Sequence, residues 1–218
     1  GILTDYYMTG NRRLLEVARE AGDRIVRTQE ASGVLSCHNG TLHREYTGPL
    51  SILLDVYEAT WEEKYGKLAE RSLSWLLRIV RTPGRLPNGI FTAGPRGDEA
   101  VVTADFYPEV AWGNKYHLYA PALRQFRSAK LEEFLIAEAD YWTWESPRDL
   151  LNYACTTVCF GYELTGKLEY AAFAKNLIDT SFHEFVESTR REEQMDFAAT
   201  RFSGYIPRLM CIVADAMD

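Results

Sequence analysis

Residues 43–80 read HREYTGPLSILLDVYEATWEEKYGKLAERSLSWLLRIV, and this stretch predicts two helices joined by a short turn. Gly48-Pro49 is a typical helix start, and the apolar residues that follow it predict a helix over Pro49–Ala59. After a break at Ala59-Thr60, apolar residues recur at intervals of three and four, which predicts an amphipathic helix over Trp61–Arg81. The stretch is therefore a helical hairpin with a buried first helix and a second helix that faces water on one side.

The same hairpin pattern recurs along the chain. YYMTGN at residues 6–11 and YELTGK at residues 162–167 each place an aromatic residue shortly before a Thr-Gly turn. Glycine suits the left-handed position that ends a helix. Thr9 and Thr60 are 51 positions apart, and Thr60 and Thr165 are 105 apart, about twice that step. A repeat of this length with two helices in it predicts an array of helical hairpins.

Weaker copies of the pattern account for the rest of the chain. One copy has its turn at Pro121–Arg127, and a last, incomplete copy begins at Gly204. Residues 82–104 are too rich in Gly and Pro for a helix, and Asn88-Gly89 within them predicts a small β-hairpin. The other predicted helices are Ile2–Met8, Asn11–Thr28, Pro108–Tyr119, Gln125–Trp142, Arg148–Leu164, Leu168–Glu187 and one that starts near Gly204.

Composition limits the classes of function. The chain has 218 residues, of which 46% are hydrophobic, enough for one sizeable core. No run of about 18 apolar residues appears, so we expect no membrane span. A net charge of −7 argues against a nucleic-acid partner. No signal peptide is visible, and the short first helix predicts that the sequence is truncated, which leaves compartment and oligomeric state open.

Cysteine, histidine and tryptophan residues give weaker signals. Cys155 and Cys159 lie on one face of a predicted helix without a CxxC pair, so we expect buried thiols and neither a metal nor a cofactor. The remaining residues are assigned by their place in predicted helices. His117 and His183 are expected to be packing or surface residues, Trp61 and Trp75 to pack in the outer layer, and Trp142 fits packing or sugar binding.

The lengths of the connections predict where a site lies. Turns from a first to a second helix are short, whereas most connections to the next hairpin are long. In a closed ring all inner helices run the same way, so the long connections and the inner-helix N termini share one end, which favours anionic groups. The residues expected there are His38, His43, Arg44, Glu45, Tyr46, Asp105, Tyr107, Glu109, Trp112, Trp144, Glu145, Arg148, Asp149, Arg201 and Tyr205.

The repeat resembles the six-hairpin (α/α)6 toroids of glycoside hydrolases and polysaccharide lyases. The resemblance rests on the inner helix, the aromatic-x-Thr-Gly motif and the outer helix, as at residues 6–11 and 162–167, and it covers nearly the whole chain. It implies an all-α toroid with inner and outer layers, here a single partial domain over residues 1–218 with about four hairpins and one incomplete one. It also implies a carbohydrate bound at the long-loop end.

Two chemistries fit the residues at that end. Glycoside hydrolysis needs a carboxylic acid and a second carboxylate across the bond, and Asp105 and Asp149 are the favoured pair. A lyase needs a base and a cation that stabilises an enolate, and its candidates are His43, Tyr46, Tyr107 and Arg44. The expected substrate-binding residues are Arg44, Glu45, Tyr107, Glu109, Trp112, Trp144, Arg148 and Arg201.

Structural roles compete with these assignments. Asp149 and Glu109 equally suit the first turn of a helix, and residues 43–45 equally suit a solvated loop. At the level of function, a glycoside hydrolase is favoured over a polysaccharide lyase. The alternatives are a sugar isomerase or epimerase on the same toroid, and a helical-repeat module without chemistry that binds carbohydrate or protein.

Overall fold

A computed structural model of the chain describes residues 2–29, 33–35, 44–80, 82–84, 88–92, 99–104, 115–145, 155–190 and 206–217. These segments are mostly helical, which confirms the all-α class, and they include one two-stranded ribbon. The elements are α1 (Ile2–Thr9), α2 (Arg12–Arg27), α3 (Arg44–Thr60), α4 (Glu63–Arg78), β1 (Asn88–Thr92), β2 (Glu99–Ala104), α5 (Lys115–Phe126), α6 (Ala129–Asp140), a π-helical turn (Tyr141–Glu145), α7 (Cys155–Thr165), α8 (Leu168–Arg190) and α9 (Ile206–Asp215).

The chain divides into two compact units, Gly1–Leu131 and Glu132–Asp218. The division falls within α6 rather than in a loop, and each unit is described by itself. The single domain expected over residues 1–218 stays a prediction. Across the described ranges, no helix has the length and apolar content that crossing a membrane requires.

The predicted turns after Thr9, Thr60 and Thr165 share one geometry. Each threonine hydroxyl donates to the carbonyl four residues earlier, over 2.6 Å, 2.8 Å and 2.6 Å respectively. Each also accepts the backbone N–H two residues later, over 3.2–3.3 Å. Threonine therefore both ends one helix and holds the start of the next.

The residue after each threonine adopts the left-handed conformation. Gly10 and Gly166 have φ of +67° and +69°, and Trp61 takes the same position with φ of +56°. The N–H of each donates to a tyrosine carbonyl four residues earlier, over 2.7 Å, as in a left-handed helix cap. The spacing in the sequence therefore correctly identified all three turns.

A fourth turn lies later in the chain than predicted. Pro121 is inside α5, and the left-handed residue is Arg127, with φ of +44°. The N–H of Arg127 donates to the Leu123 carbonyl over 3.3 Å, so the same cap forms with Phe126 in place of threonine. The turn therefore coincides with only the last residue of the predicted range Pro121–Arg127, and the predicted helix end at Tyr119 was wrong, because Pro121 lies inside the helix. Residues 108–114 lie outside the described ranges.

Proline also misled the prediction for α3. The helix begins at Arg44, so Gly48 and Pro49 lie inside it and are not its start. A residue with a Cβ before proline is driven out of the helical region, but glycine tolerates that position. The Ser51 hydroxyl donates to the Gly48 carbonyl over 2.8 Å, which gives this carbonyl a side-chain partner near the proline.

The β-ribbon forms, but its turn was predicted in the wrong place. β1 pairs antiparallel with β2, with Ile90 opposite Val101. Asn88 and Gly89 lie at an irregularity at the start of β1, not between the strands. Residues 93–98, which join the strands, lie outside the described ranges, and the Asn-Gly pair marks a strand end with an irregular register.

Unit 1 packs around α3 and α4. Leu50, Leu53 and Leu54 of α3 have no exposed surface, and Trp75 of α4 is 3% exposed. α4 keeps a polar face toward water, as predicted for a second helix. α1 has no buried residue, so the prediction that every first helix is buried fails for this short helix.

Neighbouring first helices meet at their C-terminal ends. In unit 1 the Arg124 guanidinium pairs with the Glu58 carboxylate at 2.9 Å, which joins the ends of α5 and α3. In unit 2 the Tyr162 hydroxyl donates to Asp215 over 2.9 Å, which joins α7 and α9. Within each unit these contacts hold the C-terminal ends of neighbouring first helices together. Closure of the layer into a toroid stays a prediction.

The second helices are joined by a tyrosine–aspartate hydrogen bond that recurs in both units. Tyr65 of α4 donates to Asp23 of α2 over 2.8 Å, and Tyr170 of α8 donates to Asp140 of α6 over 2.6 Å. Each tyrosine comes five residues after the threonine of its turn. Equivalent positions of the repeat therefore make equivalent contacts between outer helices.

Candidate functional site

Two of the predicted site residues begin α3, and most of the others lie outside the described ranges. Arg44 and Glu45 are the first two residues of α3, at its N-terminal end, and only their backbone is described. The others in this group lie outside the described ranges. They are His38, His43, Asp105, Tyr107, Glu109, Trp112, Arg148, Asp149, Arg201 and Tyr205.

Tyr46 was predicted as a catalytic residue, and the structure assigns it to the core. Its side chain has no exposed surface, and its ring packs against Trp75 with centroids 5.0 Å apart. Its hydroxyl donates to the Ser72 carbonyl over 3.1 Å. A phenol committed to a backbone carbonyl between α3 and α4 is not placed to take a proton from a substrate, so the catalytic assignment of Tyr46 is corrected.

Trp144 is the predicted sugar-binding residue whose side chain the structure shows. It is 64% exposed and lies in the π-helical turn that follows α6. Such turns are frequent at functional sites. Trp142, for which the sequence allowed two roles, is 1% exposed and belongs to the core of unit 2. Trp144 therefore keeps a face free for a ligand, and Trp142 does not.

The two cysteine side chains that the structure describes differ in their exposure to solvent. Cys159 is buried, as predicted, whereas Cys211 is exposed. Among the described residues, no group of three or more His, Cys, Asp or Glu side chains is placed to hold a metal ion. The side chain of Cys155 is not described.

A cavity of about 420 Å³ in unit 1 was not anticipated from the sequence. This volume is within the range of small-molecule sites. Thr4, Ser51 and Asp55 supply its polar atoms, and the rest of the lining is apolar. The lining residues are Ile2, Leu3, Thr4, Val17, Ala18, Ala21, Ser51, Ile52, Asp55 and Val56. The small side chains of Ala18 and Ala21 on α2, opposite α3, are the sequence signal that could have indicated this space.

Tyr7 lies close to the carboxylates of the same region. Burial raises the pKa of its phenol, and the negative charges of Glu58 and Asp55 raise it further. The phenol is therefore neutral at neutral pH. Asp55 makes this part of α3 acidic but does not by itself form a catalytic site, because no second titratable group occurs among the described residues that line the cavity.

No protein-family model matches the chain, and no curated protein or solved structure shows significant similarity to it. The residues and their geometry are therefore what supports a function.

Proposed function

We propose that the chain is a domain of a carbohydrate-active enzyme that cleaves an oligo- or polysaccharide, by glycoside hydrolysis rather than by lyase elimination. The observation that carries the proposal is the repeated turn. Turns of one geometry follow α1, α3, α5 and α7, and neighbouring first helices meet at their C-terminal ends within each unit. Within each unit the short turns then follow the same end of the first helices, and in the proposed toroid the long connections would lead into the opposite end.

The proposed chemistry follows from the residues next to those long connections. Asp105 and Asp149 precede different inner helices, and one would protonate the glycosidic oxygen while the other acts as base or nucleophile. Trp144 supplies an exposed aromatic face that can cover the apolar face of a sugar ring. Arg44, Glu45 and the other predicted binding residues would hydrogen bond to hydroxyl groups.

Lyase chemistry is the weaker candidate, because its candidate base Tyr46 belongs to the core. His43 and Tyr107 remain as its bases and Arg44 as its cation. The products distinguish the two reactions: elimination leaves an unsaturated uronate that absorbs ultraviolet light, and hydrolysis leaves none.

The test uses a panel of neutral and acidic polysaccharides and measures released reducing ends and ultraviolet absorbance. We expect reducing ends without new absorbance, and a loss of about 100-fold or more in Asp105→Asn and in Asp149→Asn. Asp179→Asn is the matched control, because Asp179 is an exposed carboxylate on α8 that pairs only with Lys175 in the structure described.

Three results would count against the proposal. Full activity in both aspartate variants would remove the assigned pair, and ultraviolet absorbance that depends on His43 would favour the lyase. Binding of a polysaccharide without cleavage, unchanged in both variants, would identify a binding module.

A further inference from the structure

Trp61 is an exposed tryptophan where the sequence led us to expect a packed one. It is 69% exposed, whereas Trp75, for which the same role was predicted, is 3% exposed. Trp61 follows Thr60 in the turn between α3 and α4, the position that Gly10 and Gly166 hold in the turns of the same geometry. The packing assignment is therefore correct for Trp75 and wrong for Trp61.

The backbone at Trp61 makes this exposure informative. Its φ of +56° is in the left-handed region, which a bulky side chain disfavours and glycine adopts freely. The Thr60 hydroxyl and the Trp61 N–H make the same bonds as their counterparts, so the turn itself does not require a tryptophan. A strained residue with an outward-facing ring is a feature that occurs at binding sites.

The surroundings of Trp61 combine aromatic and paired polar groups. Tyr57 meets the Trp61 ring edge to face, with centroids 5.5 Å apart, and thereby supports the orientation of the indole. One helical turn before Trp61 on α3, the Glu58 carboxylate receives two bonds of 2.9 Å from Arg124. Tyr7 is 60% exposed and within electrostatic reach of Glu58.

We propose that Trp61, with Glu58, Arg124 and Tyr7, forms a binding platform for a neutral polysaccharide. The indole face would cover the apolar face of a pyranose ring, the carboxylate would accept bonds from hydroxyl groups, and the guanidinium would donate to them. Glu58 and Arg124 neutralise each other and the chain carries −7, so the platform does not favour an anionic polymer.

This platform is separate from the proposed catalytic end. Trp61 follows the C-terminal end of α3, whereas Arg44 and Glu45 begin that helix. A helix of 17 residues is about 25 Å long, so the two sites lie far apart on α3. Binding of polysaccharide at the platform therefore does not depend on the proposed hydrolase activity. Its role, to hold a long chain while another part reaches the catalytic end, rests on that proposed function.

The test is native gel electrophoresis of the whole chain in gels cast with soluble neutral polysaccharides, with an inert protein as mobility reference. Trp61→Gly gives the turn the residue that Gly10 and Gly166 supply, so we expect it to stay folded and to bind at least about tenfold more weakly. Trp61→Tyr is expected to keep part of the retardation. Leu168→Ala, which trims a 60% exposed apolar residue after another turn, is the control and should bind like the wild type.

Equal retardation of Trp61→Gly and the wild type, or no retardation of the wild type by any neutral polysaccharide, would overturn the proposal. Self-association that is lost in Trp61→Gly, measured by sedimentation without polysaccharide, would assign the surface to a second copy of the chain instead. Asp105→Asn and Asp149→Asn are expected to retain the retardation, so failure of the platform and failure of the hydrolase are distinguishable.

Discussion

Glycine and threonine at the hairpin turns have separate roles that substitution can distinguish. Thr165 supplies two side-chain bonds, whereas Gly166 supplies only a backbone that adopts φ of +69°. A Cβ at Gly166 would meet no atom within 4 Å, so steric crowding by neighbours does not contribute there. Any loss of stability on replacement of Gly166 therefore reflects the preference of the backbone against the left-handed conformation.

We expect Gly166→Ala to lower the free energy of unfolding by about 1 kcal/mol, because an L-residue with a Cβ disfavours the left-handed region. Asparagine tolerates this region better, so Gly166→Asn should lie between alanine and the wild type. Urea unfolding of the three proteins checks the order. If alanine were as stable as glycine, the turn would not be held in the left-handed conformation in solution.

At single residues, the sequence predicted turns better than it predicted sites. Thr-Gly after an aromatic residue is a local signal, because the bonds that close the turn join residues four or fewer positions apart. The role of Tyr46 is not local. Its environment is set by Trp75 and Ser72, which come from the next helix and are 26 or more positions away. A polar residue that the sequence places next to a long connection can therefore belong to the core. Only the packing of the folded protein distinguishes the two cases.

At the scale of elements, helix existence was predictable and helix ends near proline were not. Pro49 and Pro121 both lie within helices, although each was taken as a boundary. The cost of an interior proline is a few kcal/mol, and packing of the apolar face on both sides of it can offset this amount. Leu50 and Ala122, the residues that follow the two prolines, have no exposed surface.

Helix packing in unit 2 depends on a glycine that the sequence pattern did not single out. A Cβ on Gly161 of α7 would lie 2.6 Å from the Ala139 Cβ of α6 and 3.0 Å from the Tyr170 ring of α8. Three helices therefore approach closely at this one position. Gly66 of α4 plays the same part in unit 1, where a Cβ would lie 2.8 Å from the Tyr57 ring.

We expect Gly161→Ala to destabilise the protein by about 1–3 kcal/mol through overpacking, although alanine is the better helix former. Ala139→Gly removes the methyl group that the new Cβ would meet. The double variant Gly161→Ala/Ala139→Gly should therefore be more stable than the two single effects added together predict. Additive effects in thermal or urea unfolding would show that α6 and α7 do not approach closely at these residues.

At the scale of the whole molecule, both units contain a tyrosine whose pKa is raised. Burial is the largest cause of the raised pKa of Tyr170, and the hydrogen bond to Asp140 raises this pKa further. Burial is likewise the largest cause of the raised pKa of Tyr65, and the hydrogen bond to Asp23 adds to it. A raised pKa in the folded state contributes stability that is present below the ordinary value of 10.0 and is lost as the pH rises above it. The protein should therefore lose stability as the pH rises into the alkaline range.

Replacement of Tyr170 tests this dependence. We expect Tyr170→Phe to cost about 1–2 kcal/mol at pH 7, because the bond to Asp140 is lost, and to flatten the fall in stability above about pH 10. The measurement is urea unfolding of both proteins as a function of pH. Tyr162→Phe, which removes a solvent-exposed bond to Asp215, should change stability at pH 7 less. Parallel curves for the wild type and Tyr170→Phe would contradict the assigned cause.

The arrangement of hairpins was more predictable than the function they support. A repeat of about 50 residues is visible because every copy needs the same turn, whereas each long connection is different. The predicted catalytic pair, Asp105 and Asp149, comes from those connections, whose sequences share no motif. The repeat in the sequence predicts the hairpins and their turns. The proposed chemistry depends on residues of the long connections, which the repeat does not constrain.

The shared turn also has a consequence for how such a protein changes over evolution. The hydrogen bonds of each turn join residues no more than four positions apart. A gene can therefore gain or lose a whole hairpin by in-frame duplication or deletion, and the remaining turns keep their own hydrogen bonds. The outer tyrosine–aspartate bond would re-form only where a helix that carries the tyrosine follows one that carries the aspartate, because Leu14 and Leu131 hold the tyrosine position in the other two second helices.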